Sequence, residues 1–363
     1  MDIWVYGAGK RCNHLMEKLC SYPEVHVAGI ADSFVHGERF GFPIVDLLHE
    51  NVSDCPKDSI IVITFAKLKE AMRVAQKLFD RGFNNLYLYL AKTKSFHGFL
   101  GGECKKLPEN LENVLPSLEM HVVDHCNLNC AGCVHFSPCF PKKNPVFDVR
   151  MKDLEEMRKL FPDITILSLL GGEPLLSPDL CRYMEKARAL FPHAEIQLIT
   201  NGLLLPQMNE AFFACAREAR ITIVISEYKP TSRILSKITD RLISEKIEYT
   251  VRGLENKSVF NRSLSVRKDS IHEKYCLSDG CTAVSEGKIA RCPTLLYIHQ
   301  FNTFFNEDLP SDGIYRISDF HDGKELKKCM EERVPLCDYC VKDEMPWHTC
   351  GTDIRLEDFA SLE

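Results

Sequence analysis

The chain has 363 residues, 45% of them hydrophobic and 26% charged, with a formal net charge of -6. That is enough apolar side chain for two or three domains, and the negative balance argues against nucleic acid or an anionic membrane gripped by bulk positive charge. No apolar run reaches the roughly 18–20 residues that span a bilayer, and MDIWVYGAGK lacks the basic stretch, apolar stretch and cleavage site of an export signal, so the expected setting is the cytoplasm.

The first elements alternate. IWVYGAG reads as a buried strand entering a glycine turn, KRCNHLMEKLCS repeats apolar residues at helical spacing, and VHVAGIADS is a second strand. SIIVITFA, a helix from about Lys69 to Arg81 stopped by Gly82, and NLYLYL continue the pattern, which predicts a small doubly wound α/β domain over residues 1–95. Gly, Pro and charge mark 96–115 as a linker. From 116 to 262 strands alternate again with helices: LEMHVVD, ITILSLLGG, EIQLITNG, ITIVISEY and EYTVRG are the strands. Repeated βα units of this length form a parallel sheet, open or curled into part of a barrel. Beyond residue 263 the alternation gives way to Cys, Gly and Pro.

The 17 cysteines carry the chemistry. In a reducing compartment they are not expected to pair as disulfides, so grouped ones read as metal ligands and scattered ones as buried small residues. Cys12, Cys20, Cys55, Cys104, Cys139, Cys181 and Cys215 are scattered. Cys126, Cys130 and Cys133 form C-x3-C-x2-C, and seven more lie between Cys276 and Cys350. Three thiolates on an iron–sulfur cubane leave one iron without a protein ligand, free to bind a substrate. The competing reading is tetrahedral zinc completed by Cys139 or His135.

Three strand-end motifs in succession sharpen the choice. The cysteine loop ends the first middle strand, LSLLGGEP the second and LITNG the third, and together they resemble the radical S-adenosylmethionine superfamily. The resemblance implies a partial (β/α)6 barrel and a [4Fe–4S] cluster on Cys126, Cys130 and Cys133 with S-adenosylmethionine at the open iron. Gly171, Gly172, Glu173 and Pro174 would meet its methionine amino group, and Thr200, Asn201, Ser226 and Arg252 its ribose or carboxylate. The family usually has an aromatic residue before the third cysteine, touching the adenine; Gly132 stands there, and His135 or Phe136 is expected to do that work. An oxygen-poor setting and an electron donor such as flavodoxin or ferredoxin are implied as well.

The C-terminal cysteines also have a pattern. Cys276, then Gly287 and Cys292 in G-x4-C, then Cys337 and Cys340 in CDYC, resemble the twitch form of the SPASM extension, which holds one auxiliary [4Fe–4S] cluster. Cys281 competes with Cys276 for the first position, and a zinc ribbon is the competing reading of the set. The region assigned to it is 263–363.

The N-terminal YGAGKRC begins like a dinucleotide fingerprint, with Gly7 and Gly9 in the turn and Asp32 where an acid would meet a ribose. Cys12 replaces the third glycine. The segment resembles the small Rossmann-like domains attached to sugar-modifying enzymes, and either a nucleotide-sugar site or an empty scaffold fits it. The reaction expected from all this is oxidation or epimerisation of a sugar, cyclitol or nucleotide-linked sugar. For epimerisation Cys139 or Cys281 would return the hydrogen atom. Modification of a ribosomal peptide is the alternative among such enzymes, and a zinc- and nucleotide-binding module without catalysis is the alternative outside them.

Overall fold

Asp2–Tyr6 (β1) is buried from Ile3 onward, as a strand at the centre of a parallel sheet must be. This computed structural model describes residues 1–50, 52–253, 259–268, 276 and 281–362. Its contacts divide it into two units, Met1–Pro116 and Ser117–Glu363. Among the described residues no helix is long and apolar enough to cross a membrane.

In the first unit β1 is followed by Lys10–Leu19 (α1), His26–Ala31 (β2), the short strands Glu38–Arg39 (β3) and Phe42–Val45 (β4), and then Ile60–Ile63 (β5). Leu68–Asp80 (α2) and Leu86–Tyr89 (β6) complete the alternation. Helix α2 buries Ala71, Met72, Ala75 and Leu78 on one face. It ends where Gly82, at φ +88, lets its own N–H reach Phe79 O and that of Phe83 reach Leu78 O, a Schellman stop. The region expected to be a linker is built into the sheet: Cys104–Lys106 (β7) pairs antiparallel with β6. The seven-stranded order is β3-β4-β2-β1-β5-β6-β7.

The glycine turn after β1 is closed from within. Asp32 is buried, and its Oδ2 accepts the Ala8 N–H at 2.8 Å. Its Oδ1 accepts from the backbone N–H groups of Phe34 and Val35. The acid expected at a ribose is thus occupied with the backbone, and so is one N–H that a phosphate would need. Gly7 N–H is taken by Ala31 O, while Gly9 has open space beside it.

The second unit begins within Val114–Val123 (β8). Then come Phe147–Leu160 (α3), Asp163–Gly171 (β9), Leu180–Leu190 (α4), Glu195–Thr200 (β10), Glu210–Glu218 (α5), Thr222–Ser226 (β11), Lys229–Ser232 (α6), Leu235–Ser244 (α7) and Tyr249–Arg252 (β12). Asn209 caps α5 by accepting from Phe212 N–H. Phe161, Phe191, Phe212 and Phe213 are fully buried, each such side chain contributing roughly 1.5–3 kcal/mol. The five strands β8 to β12 lie side by side in chain order. A sixth parallel strand comes from the cysteine-rich region: Ala283–Ser285 (β14) pairs with β8 on its other edge, Ala283 opposite Glu119. Lys288–Ala290 (β15) and Tyr315–Arg316 (β16) extend the same sheet antiparallel. The region beyond 263 is therefore continuous with the barrel sheet.

Val259–Ser265 (β13), Cys340–Pro346 (β17) and Ala360–Ser361 (β18) make a third sheet in the order β17-β13-β18. Pro293–Leu296 (α8), Ile298–Phe305 (α9) and Gly323–Glu331 (α10) are the helices of this region. Its core takes in Ala131, Phe136 and Cys139 of the cysteine loop together with Leu264, Phe301, Leu336 and Phe359. The loop is packed by residues more than a hundred positions further along the chain.

Candidate functional site

The loop that leaves β8 carries Cys126, Cys130 and Cys133, and all three border one cavity of about 230 Å³. None of the cysteines is in a disulfide. Cys126 Sγ accepts the Leu128 N–H at 3.4 Å, and Cys130 Sγ accepts the indole N–H of Trp347 at 3.3 Å. Burial pushes the Cys126 thiol up to about 11 and that of Cys130 up to about 12, so both are neutral thiols until a metal displaces the proton. Among the described residues no three His, Cys, Asp or Glu groups are gathered tightly enough to grip one ion. The thiols stand around the cavity wall instead.

The loop is stitched in place by the C-terminal segment. Ala131 N–H bonds to His348 O at 3.1 Å, Gly132 N–H to Asp358 O at 2.7 Å, and Cys350 N–H to Asn129 O at 2.8 Å. Cys130 and Thr349 form an antiparallel bridge.

Strand β9 supplies the glycine turn. A Cβ on Gly171 would lie 1.8 Å from Val123 O, and one on Gly172 would lie 2.0 Å from His125 O. Gly172 N–H and Glu173 N–H bond to those carbonyls at 3.0 and 3.1 Å. The close approach that demands glycine here is to the cysteine loop's own backbone. Both glycines still line the cavity.

Glu173 does not line it. Its carboxyl is fully buried, accepting Thr200 Oγ1–H at 2.6 Å and Leu175 N–H at 3.1 Å on Oε1, and Asn201 N–H at 2.9 Å on Oε2. Burial pushes it up to about 7 against the pull of those donors. Pro174 is buried behind it, opening a short 3-10 turn. Thr200 and Asn201 do reach the cavity, and Asn201 Nδ2 donates to Asn127 Oδ1 at 2.7 Å, tying the end of β10 to the loop. Ser226 and Arg252, at the ends of β11 and β12, line the same space.

His135 is on the cavity wall, its Nδ1 2.8 Å from His121 Nε2, while His121 Nδ1 lies 3.0 Å from Asp124 Oδ1. Burial pushes both imidazoles down, so they are neutral. Arg150 holds Asp124 from the other side at 2.8 and 3.1 Å. Phe136 is turned away into the core against Phe301 and Phe359. The aromatic absent at position 132 is replaced in space: a Cβ on Gly132 would lie 3.0 Å from the ring of Phe260, which lines the cavity beside Tyr228.

Glu119 was not legible as a site residue, yet it is the one carboxylate among the described residues that border the cavity. It shares a hydrogen bond with Cys281, and burial pushes it up to about 7, opposed by that bond and by the charge of Arg252. Its signal in the sequence was an acid inside a largely apolar strand, LEMHVV. Cys281 stands behind Glu119, outside the lining, and its thiol is pushed up by burial and by Glu119. Cys139 lies in the core of the C-terminal region, its carbonyl accepting from Gln300 Nε2 at 2.6 Å, and does not border the cavity.

The second cysteine set is brought together apart from this cavity. Burial and the proximity of Cys340, Cys276 and Cys337 hold the Cys292 thiol up to about 12. Burial, then Cys337 and Cys276, do the same to Cys340. Cys292 Sγ also accepts the Leu295 N–H at 3.4 Å. Of the two rivals for the first position, Cys276 has two of these thiols as neighbours and Cys281 has Glu119 as its hydrogen-bond partner.

Three thiols, two of them with an N–H donor on sulfur, a glycine turn and a polar strand end around one cavity fit a [4Fe–4S] cluster with S-adenosylmethionine, and the thiols of Cys276, Cys292, Cys337 and Cys340 fit an auxiliary cluster. In fold and site the chain is similar to the radical S-adenosylmethionine enzymes that carry an auxiliary iron–sulfur region. Residues 118–230 match the family described as the 4Fe-4S single cluster domain. The GTP 3',8-cyclase of Aquifex aeolicus (strain VF5) is 27% identical over 159 residues, 41% of this chain and 47% of that enzyme. The 7,8-dihydro-6-hydroxymethylpterin dimethyltransferase of Methanocaldococcus jannaschii is 29% identical over 177 residues, 48% of this chain and 29% of that enzyme. The chain thus spans less than half the length of these two relatives. Among solved structures, BtrN in complex with AdoMet and 2-DOIA is 15% identical, with a TM-score of 0.38 over 62% of this chain and 92% of that one.

Proposed function

We propose that this chain oxidises a secondary alcohol of a small sugar or cyclitol to a ketone. Held on Cys126, Cys130 and Cys133, a cluster with S-adenosylmethionine would supply the one-electron chemistry that removes the carbinol hydrogen atom, and an iron–sulfur group held by Cys276, Cys292, Cys337 and Cys340 would supply an acceptor for the electron released with the ketone. The chain's own residues do the rest. Glu119 receives the hydroxyl proton at its carboxylate, and Arg252 beside it orients the oxygens. Thr200, Asn201 and the Gly171–Gly172 backbone present acceptors and donors to the methionine and ribose ends of the cofactor, and Phe260 gives the adenine an apolar face. Glu173 acts one layer back, locking the ends of β9 and β10 together.

The observation that carries this reading is Glu119, a carboxyl near neutrality bordering the same cavity as the three thiols. Flavodoxin or ferredoxin is the class of electron donor it calls for. The test is anaerobic turnover of the reconstituted protein with S-adenosylmethionine, reductant and a panel of sugars, cyclitols and nucleotide sugars. A ketone formed in step with 5'-deoxyadenosine supports the reading, and a panel without product sinks it. Epimerisation is the second reading, favoured by the hydrogen bond between Cys281 and Glu119. In D2O it would leave deuterium on the reacting carbon with no ketone.

A further inference from the structure

The indole of Trp347 is a donor with no acceptor atom of its own, and its Nε1–H points at Cys130 Sγ from 3.3 Å. Trp347 and Cys130 are 9% and 8% exposed, so water does not compete for this bond. The ring is held firmly. Tyr228 packs on it with centroids 5.8 Å apart, and strand β17 ends at Pro346, immediately before it. Just beyond it, His348 O takes the Ala131 N–H and Thr349 bridges to Cys130. A residue 217 positions along the chain is thus held against the middle cysteine, by the pairing of β17 with β13 before it and by the bonds to the cysteine loop after it.

We infer that Trp347 is a positioning residue that raises the reduction potential of the cluster on Cys126, Cys130 and Cys133 by donating its indole N–H to the Cys130 sulfur. This rests on the assignment of those thiols to a cluster. Reduction adds negative charge that is shared by the cysteine sulfurs, so a donor on one of them stabilises the reduced state more than the oxidised one. Cys126 takes its donor from the backbone, which no side-chain change removes. Cys130 takes its donor from a side chain, so the effect is separable by substitution.

The experiment is an anaerobic redox titration of the reconstituted full chain followed by electron paramagnetic resonance. The signal that S-adenosylmethionine perturbs identifies the cluster with an open iron. Trp347→Phe keeps a ring and removes the donor; its midpoint is expected below that of the wild type at equal iron content. Uniform replacement of tryptophan by 5-fluorotryptophan keeps the fold and makes the N–H a stronger donor, and is expected to move the midpoint upward. The chain has only one other tryptophan, Trp4, in the first unit, so that shift reports on Trp347. Should Trp347→Phe fail to load iron, the fluorinated protein decides alone. An unmoved midpoint in the fluorinated protein overturns the inference, whereas a wild type without any cofactor-sensitive signal overturns the cluster assignment instead.

Discussion

Two glycine turns in this molecule look alike in sequence and differ in what they serve. In the first unit the turn after β1 is closed by Asp32, which accepts three backbone N–H groups, one of them in the turn itself. In the second the turn after β9 is braced by Glu173, which also accepts three donors, from Thr200, Asn201 and Leu175. Each acid stands where a ligand contact was expected, and each is buried and bonded within the protein. The difference lies in the neighbours. Around the second turn the adjoining strands and the loops that leave them bring thiols, polar side chains and a carboxyl to one cavity. Around the first, the closing acid uses up an N–H that a phosphate would have taken. A buried acid under a glycine turn makes the turn rigid; the next strands decide whether a site forms beside it.

The largest effect expected is on the thiols. Replacing Cys126, Cys130 and Cys133 together by alanine should remove about four irons per chain and all 5'-deoxyadenosine formation, with the auxiliary absorbance retained. Iron analysis and a cleavage assay check both, and residual cleavage would break the assignment of the second turn's neighbourhood.

Next comes a direct contrast of the turns. Gly172→Ala puts a Cβ about 2.0 Å from His125 O, so the cysteine loop must shift and cofactor cleavage should fall by more than tenfold. Gly9→Ala meets nothing within 4 Å and should change stability by no more than about 1 kcal/mol. Melting curves and cleavage rates on both variants test it, and equal effects would erase the distinction.

Smaller effects follow from the acids. Because all three partners of Glu173 donate, Glu173→Gln sets an amide N–H against a donor and should cost about 1–3 kcal/mol, with weaker S-adenosylmethionine binding. Asp32→Asn does the same in the first unit, with a similar loss of stability there and cofactor affinity unchanged. Calorimetry of unfolding and of cofactor binding separates the two. The smallest signal is expected from nucleotides: titrating the full chain with nucleoside diphosphates and nucleotide sugars should give no heat attributable to the first unit, since the Ala8 N–H is already taken. Binding abolished by Gly9→Val would overturn that.

The sequence by itself determined the chain of strand ends. C-x3-C-x2-C, GGEP and TN each lie within a few residues at the end of a strand, and the period of apolar residues marks those strands, so the elements and much of the lining were legible. Gly82 was legible as a helix stop for the same local reason. Only the tertiary structure decided the rest. Phe260 fills the space beside Gly132 and Trp347 reaches Cys130 through contacts between residues far apart in the chain, which no local spacing encodes. Cys276 and Cys281 are five positions apart and indistinguishable by pattern, yet the pairing of Ala283 with Glu119 brings Cys281 to a carboxyl while Cys276 joins the other thiols. Asp32 and Glu173 were read as ligand contacts because an acid at a strand end is available to a ligand only while no backbone or hydroxyl donor is nearer, and which donors lie nearer is settled by how the neighbouring strands pack.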